Sequence, residues 1–229
     1  MPTIHLIDGE KGGVGKSLVA RTMIQYCLDK NIAMTAVETD RSNPDVSGIY
    51  KGLCQLALFS EDDRQANKAD RIFELAVEKP VIVNLAAQAH RAVKDWIDKN
   101  NLLEIAPEYK VKFRKWFVCN GGYDSVNLFT QSLNSYDSRM HHVLVRNWGV
   151  CDEWTQVEED ETLKKLIKKQ RFDVMNFPKL AYKEGYIINQ KRLRFDEARL
   201  YKDFGIIGKQ RVVNFLKESY KGFDQYWSK

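Results

Sequence analysis

The sequence predicts a doubly wound α/β fold, a mostly parallel sheet with helices on both faces, and three observations carry that expectation. Short apolar runs alternate with longer amphipathic segments, several of the runs are apolar without interruption, and a glycine-rich loop joins the first run to the first helical segment. Strand alternating with helix is the pattern of βαβ units. An uninterrupted apolar run is what a parallel strand covered on both faces requires. The 229 residues carry no internal repeat, low-complexity tract or Gly/Ser/Pro-rich linker. Residues 1–229 are therefore expected to form a single domain around one core.

The expected strands are Ile4–Ile7, Met34–Val37, Val81–Leu85, Lys115–Cys119, Val143–Arg146 and Asp173–Asn176. Between them helical spacing predicts Lys16–Lys30, His90–Asn100, Ser125–Leu133 and Glu158–Lys169. Near the end, Val212, Val213, Leu216, Tyr220 and Phe223 make a stripe at helical spacing that is expected to close the core rather than bind a membrane.

Composition excludes several classes. With 44% apolar and 29% charged residues the chain reads as a soluble globule, not a disordered or fibrous one. No segment approaches the roughly 18 consecutive apolar residues of a membrane span. Met1–Asp8 has no basic leader and reaches the glycine loop too early for a secretion signal. Cys27, Cys54, Cys119 and Cys151 are far apart with no CxxC pair, which reads as reduced thiols in a cytoplasmic protein. The net charge of +5 permits an acidic partner or nucleic acid without demanding one.

Chemistry concentrates at Glu10-Lys11-Gly12-Gly13-Val14-Gly15-Lys16-Ser17, which follows the first strand and opens the first helix. Glycines here let backbone N–H groups turn toward a polyphosphate, and the helix N-terminus adds partial positive charge. Lys16 is expected to pair with the β/γ oxygens and Ser17 to ligate Mg²⁺. Gly12, Gly13, Val14, Gly15 and Leu18 complete the expected nucleotide contacts. Glu38 and Asp40 follow the second strand, where carboxylates face the ligand crevice of such sheets.

The string KGGVGKS, residues 11–17, resembles the signature of the ParA/MinD family of P-loop ATPases with a deviant Walker A loop. The resemblance extends in layout over most of the chain, and the loop is its specific part. It implies a Mg²⁺-dependent ATPase, slow without a partner, that dimerises on ATP. Lys11 would then reach the partner's phosphates, and Asp40 would orient the attacking water and help hold Mg²⁺ with Ser17. Asn147, at the end of the fifth expected strand, would bond the adenine edge, and the segment at Pro178 would close over the base. A guanine site of the N-K-x-D type would need an aspartate where Val150 stands, so ATP is expected over GTP.

One departure from the family is the third expected strand, Val81-Ile82-Val83-Asn84-Leu85-Ala86, where Asn84 takes the place of the usual acid and Ala86 that of a proline. An amide hydrogen-bonds a metal-bound water but brings no charge to the metal. Asn84–Gln88 and Cys119–Ser125 look like the plasmid-transfer and plasmid-stability branch. That branch implies a switch that positions, segregates or helps transfer DNA or a protein complex, with an activator or cargo adaptor as partner. The competing reading is a metabolic ATP-dependent synthetase of the same fold, similar to dethiobiotin synthetase; Lys11 favours the switch.

Two basic clusters, Lys164, Lys165, Lys168, Lys169 with Arg171, and Lys191, Arg192 with Arg194, read as solvated faces that also permit nonspecific DNA contact. His141-His142 have no sequence neighbour to pair with and read as structural.

Overall fold

The computed structural model describes residues 1–9, 11–170 and 172–227. The chain runs β1 (Thr3–Asp8), α1 (Lys16–Asp29), β2 (Thr35–Glu38), α2 (Asp45–Ile49), β3 (Cys54–Leu56), α3 (Asp70–Glu78), β4 (Val81–Asn84), α4 (His90–Lys99) and α5 (Leu102–Ile105). It continues through β5 (Lys112–Cys119), α6 (Tyr123–Tyr136), β6 (His141–Asn147), α7 (Thr155–Glu159), α8 (Glu161–Gln170), β7 (Asp173–Phe177), α9 (Tyr182–Lys191), α10 (Phe195–Ala198) and α11 (Gly205–Trp227).

The described strands make one seven-stranded parallel sheet in the order β3-β2-β4-β1-β5-β6-β7. From β1 the chain leaves toward β2, whereas from β5 it leaves toward β6. The direction of winding therefore reverses between β1 and β5, and ligands of doubly wound sheets bind at the carboxyl ends beside such a point. Because every strand is parallel, Asp8, Glu38, Asn84, Cys119 and Asn147 all end on that one edge.

All six expected strands are present, and β3 is the addition. It is a three-residue edge strand paired only with β2 among the described residues, too short for a period to show. The helix expected over Glu158–Lys169 is two helices. Asp160 leaves helical geometry, and its carboxylate accepts from the Leu163 N–H at 2.8 Å, capping α8.

Each strand of the interior is buried on both faces, and alternate residues serve different cores. Ile7 packs with Met23, Trp116 and Phe223 under α1 and α11, while Ile4 and Leu6 pack with Ile72, Val83 and Trp96 under α3 and α4. A third cluster lies around Phe117, Phe129 and Phe172. Helix α1 is buried nearly all round, because the sheet, α11 and α2 enclose it. On α11, Val212, Leu216 and Phe223 are buried as the stripe predicts and Tyr220 packs partly against them, but Val213 is half-exposed. No described helix is long and apolar enough to cross a membrane.

Where β1 gives way to the glycine loop, the chain passes so close to β5 that only glycine fits. A Cβ at Gly9 would lie 2.6 Å from the Val118 carbonyl oxygen and 2.8 Å from Val14 Cγ2. Both neighbours are held, one as strand backbone and one in the core. Gly9→Ala is expected to cost about 1–3 kcal/mol, the usual penalty of overpacking, read as a lower urea midpoint; an unchanged midpoint would show that the loop yields.

Candidate nucleotide site

The loop from Gly9 to Gly15 is held from below and behind. The Asp8 carboxylate accepts from the Gly9 N–H at 2.6 Å and forms a fully buried ion pair with Lys115 at 2.7 Å. Burial pushes the Asp8 carboxyl up, but the Lys115 ammonium and the hydrogen bonds outweigh it and hold the pKa below the usual carboxylate range. Val14 is buried in the core. Gly15 takes φ +101° at the start of α1, with the Asn147 amide so close behind that a Cβ would lie 2.3 Å from Nδ2. Gly12 and Gly13 face the other way: a Cβ on either would meet nothing within 4 Å.

That open side is a cleft of about 390 Å³ lined by Gly12, Gly13, Gly15, Lys16, Ser17 and Leu18 on one wall and by Asp40 on another. Lys16, 8% exposed, folds across the loop, its Nζ donating to the Gly9 carbonyl at 2.7 Å and the Lys11 carbonyl at 3.1 Å. The first turn of α1 adds N–H groups that have no partner within the helix. Glycines whose open side faces the cleft, a lysine above them and a helix N-terminus fit a polyphosphate.

The acids sit opposite. Asp40 Oδ1 accepts from the Ser42 N–H (3.0 Å), the Ser42 hydroxyl (2.7 Å) and the Asn43 N–H (2.9 Å), which fixes the loop after β2. Partial burial raises the Asp40 pKa, but these bonds and the Lys16 charge prevail and lower it, so it is ionised at neutral pH. Glu38 is buried, and its two oxygens accept from the N–H groups of Asp40 and Val46 at 3.0 Å each. Asn84 Nδ2 donates to Glu38 Oε1 at 3.0 Å and lies 3.4 Å from Ser17 Oγ. Burial raises the Glu38 pKa despite those donors. The amide in the place of an acid is thus the partner of a neighbouring acid. Asn84 Oδ1 is buried with no hydrogen bond. The Ser17 hydroxyl and the Asp40 carboxylate, which line the cleft together, are oxygen donors of the kind a hard cation takes.

Of the expected site residues, Gly12, Gly13, Gly15, Lys16, Ser17, Leu18 and Asp40 line this one cleft. Asn147 is buried, with both ends of its amide engaged: Nδ2 donates to the Val14 carbonyl (2.8 Å) and Oδ1 accepts from the Gly149 N–H (2.9 Å). It ties β6 to the phosphate loop. Pro178 lies beside it, since the Trp148 N–H bonds the Phe177 carbonyl at 3.0 Å. Lys11 turns out of the cleft, and its Nζ lies 2.5 Å from Asp124 Oδ2 in an exposed ion pair at the start of α6.

Glu38 as the partner of Asn84, and Arg21 and Asn189 in the cleft wall, were not legible as site residues. The one charged residue in the mostly apolar stretch Leu18–Cys27 is the signal that could have found Arg21. His141, read as unpaired, meets Asp173 at 2.9 Å across β6 and β7, a contact between strands far apart in sequence. The basic clusters are partly spent within the fold. Lys164 pairs with Glu161 (2.9 Å), and Arg194 pairs with Asp196 (2.9 Å) and covers the Tyr50 ring. Arg171 and the side chains of Lys168 and Lys169 lie outside the described residues.

No family model matches the chain. Protein MobD of Acidithiobacillus ferrooxidans is 27% identical over 223 residues, 96% of this chain and 95% of its own length. A protein TraL of Escherichia coli is 25% identical over 225 residues, 93% of each chain. Among solved structures, apo McdA from Cyanthece matches with a TM-score of 0.54 at 11% identity, over 98% of each chain. At that identity the match speaks for the fold alone.

The Glu38–Asn84 contact makes a test of the cation reading. Asn84→Asp replaces a donor by a second carboxylate, which raises the folded-state pKa of the pair above the unfolded value. The penalty is then absent at low pH, where one carboxyl keeps its proton, and grows as pH rises through the folded pKa. The variant is expected to lose about 1–3 kcal/mol near pH 8, less at pH 5, and to gain more thermal stability from Mg²⁺ than the parent. Melting curves identical to the parent's across this range would show that the two groups do not interact.

Proposed function

We propose that this chain, a ParA/MinD-like P-loop protein akin over more than nine-tenths of its length to MobD and TraL, is an ATP-operated switch. It dimerises with ATP bound, and it positions, segregates or helps transfer DNA or a protein complex. The observation that carries the nucleotide reading is the loop itself: Gly12 and Gly13 leave the cleft side open while Lys16 and the N-terminus of α1 supply positive charge. Base selection is assigned to the loops at Asn147 and Pro178, and adenine is favoured because Val150 stands where a guanine-binding loop needs an acid.

In this reading Ser17 and Asp40 hold magnesium, which when bound offsets phosphate charge. Asp40 is ionised and fixed by Ser42 and Asn43, as a residue that orients a water must be. Lys11 supports the dimeric form. Its exposed pair with Asp124 is of a kind worth less than about 1 kcal/mol, so exchange of that carboxylate for a partner's phosphate costs little. Developing charge on a transferring phosphoryl group is what an added cation stabilises. The MobD and TraL likeness supports a role in the plasmid-transfer branch, acting with a protein partner. Contact with DNA rests only on exposed Lys165, Lys191 and Arg192.

Two variants test the reading. Lys11→Ala is expected to bind ATP but to elute as a monomer on a sizing column in its presence, and ATP-dependent dimerisation equal to the parent's would remove the trans role. Asp40→Asn keeps an oxygen for the Ser42 and Asn43 turn but loses the charge. It is expected to retain ATP binding and to lower phosphate release about a hundredfold or more, within the ~10²–10⁴-fold range of general-base effects. Undiminished release would remove Asp40 from the hydrolytic role.

A further inference from the structure

Arg21 stands one helical turn beyond Ser17 on the same face of α1 and lines the phosphate cleft together with Asn43, Asp45 and Asn189. It is 3% exposed, yet only one of its nitrogens is well bonded: Nη2 donates to Asn189 Oδ1 at 2.8 Å. Nε lies 3.5 Å from Asp45 Oδ2 without hydrogen-bond geometry, and neither Nε nor Nη1 makes a hydrogen bond. The Asp45 side chain is itself 28% exposed, so it offsets the buried charge weakly. A guanidinium has five donors in a rigid fork, and burying one with donors unused costs stability unless something else claims them. Arg192, whose guanidinium packs against Gly48, adds a second positive charge next to it.

We propose that Arg21 is a second cation of the nucleotide cleft, which binds a phosphate oxygen of the bound nucleotide and gives up Asp45 in exchange. The inference rests on the nucleotide reading above and extends it to a residue that the phosphate-loop signature does not include. Three features point the same way: the residue is buried in the wall of the cleft, its Nε and Nη1 donors are unused, and its present acid lies 3.5 Å away and is partly solvated. A directed, charge-assisted hydrogen bond from either donor to a phosphate oxygen is what arginine provides in place of the point charge of lysine. Asp45 would then act as a competitor that occupies Arg21 when nucleotide is absent. That places the start of α2, directly after the Asp40–Pro44 loop, under the control of the ligand.

The test is calorimetric titration of the full chain with ATP and with ADP, using Arg21→Gln, Asp45→Asn and the double variant, with Lys16→Ala as a control. Arg21→Gln is expected to weaken binding about tenfold or more, the size of one hydrogen bond to a charged group. Asp45→Asn, a half-exposed change that leaves the core intact, is expected to tighten binding severalfold by releasing Arg21. That gain is expected to vanish in the Arg21→Gln background, which a double-mutant cycle reads directly. A merely structural pair would shift both single variants in the same direction. Asp45 repelling phosphate by itself would keep its gain in the double variant. Either result overturns the proposal, as does parent-like binding by Arg21→Gln while Lys16→Ala loses it. Equal binding by Lys16→Ala and the parent would instead overturn the nucleotide reading on which this one stands.

Discussion

A loop that keeps its N–H groups for a phosphate cannot use those groups to hold itself together. That constraint orders the whole carboxyl edge of this sheet. Other groups hold the loop: Gly9 N–H to Asp8, the Gly9 and Lys11 carbonyls to Lys16, and the Val14 carbonyl to Asn147. Val14 adds an apolar anchor in the core. Each contact uses a carbonyl or an end of the loop and leaves the open side at Gly12 and Gly13 untouched. The cost appears elsewhere, as a close approach at Gly9 and a left-handed residue at Gly15.

Beneath the loop this demand creates a polar layer inside the sheet. Lys115 is fully buried, paired with Asp8, near His90 Nδ1 at 3.4 Å and above the Tyr136 ring. Burial, reinforced by the Lys115 charge, lowers the pKa of both His90 and His142, that of His142 to about 3. His142 is therefore neutral, its Nδ1 donating to the Met140 carbonyl and its Nε2 accepting from Ser132. The cluster carries one positive and one negative charge, which is the arrangement a low-dielectric interior tolerates. It also joins the loop at Asp8 to the start of α4 at His90, so the loop and the segment after β4 share one support.

The sheet was legible because most of its strands are short apolar runs set between helical patterns, and the phosphate loop because glycine, lysine and serine fall in a fixed order. Edge strand β3 was not, since three residues show no period. The split at Asp160 was missed because an N-cap aspartate inside a charged helical pattern looks like one more surface residue. At the site, Asp40 could be singled out from its place at a strand end. The bond from Asn84 to Glu38 could not, because it joins neighbouring strands 46 positions apart in sequence. Asn189 reaches Arg21 from a helix 168 positions away, and no local spacing encodes such a meeting.

The substitution of asparagine for an acid at position 84 has a physical logic in this setting. The cleft wall already carries Asp40 and Asp45, and a carboxylate at 84 would stand against the buried Glu38 in place of the amide donor. Burial already raises the Glu38 pKa, so a second buried acid would protonate one of the two and return a hydrogen bond without a charge. The amide supplies that hydrogen bond at every pH without adding a second buried charge. Arg21 and Lys16 then balance the wall from α1. The charge a phosphate would meet in this cleft is set by how α1 and the segment from Asp40 to Asp45 divide it, more than by any one signature residue.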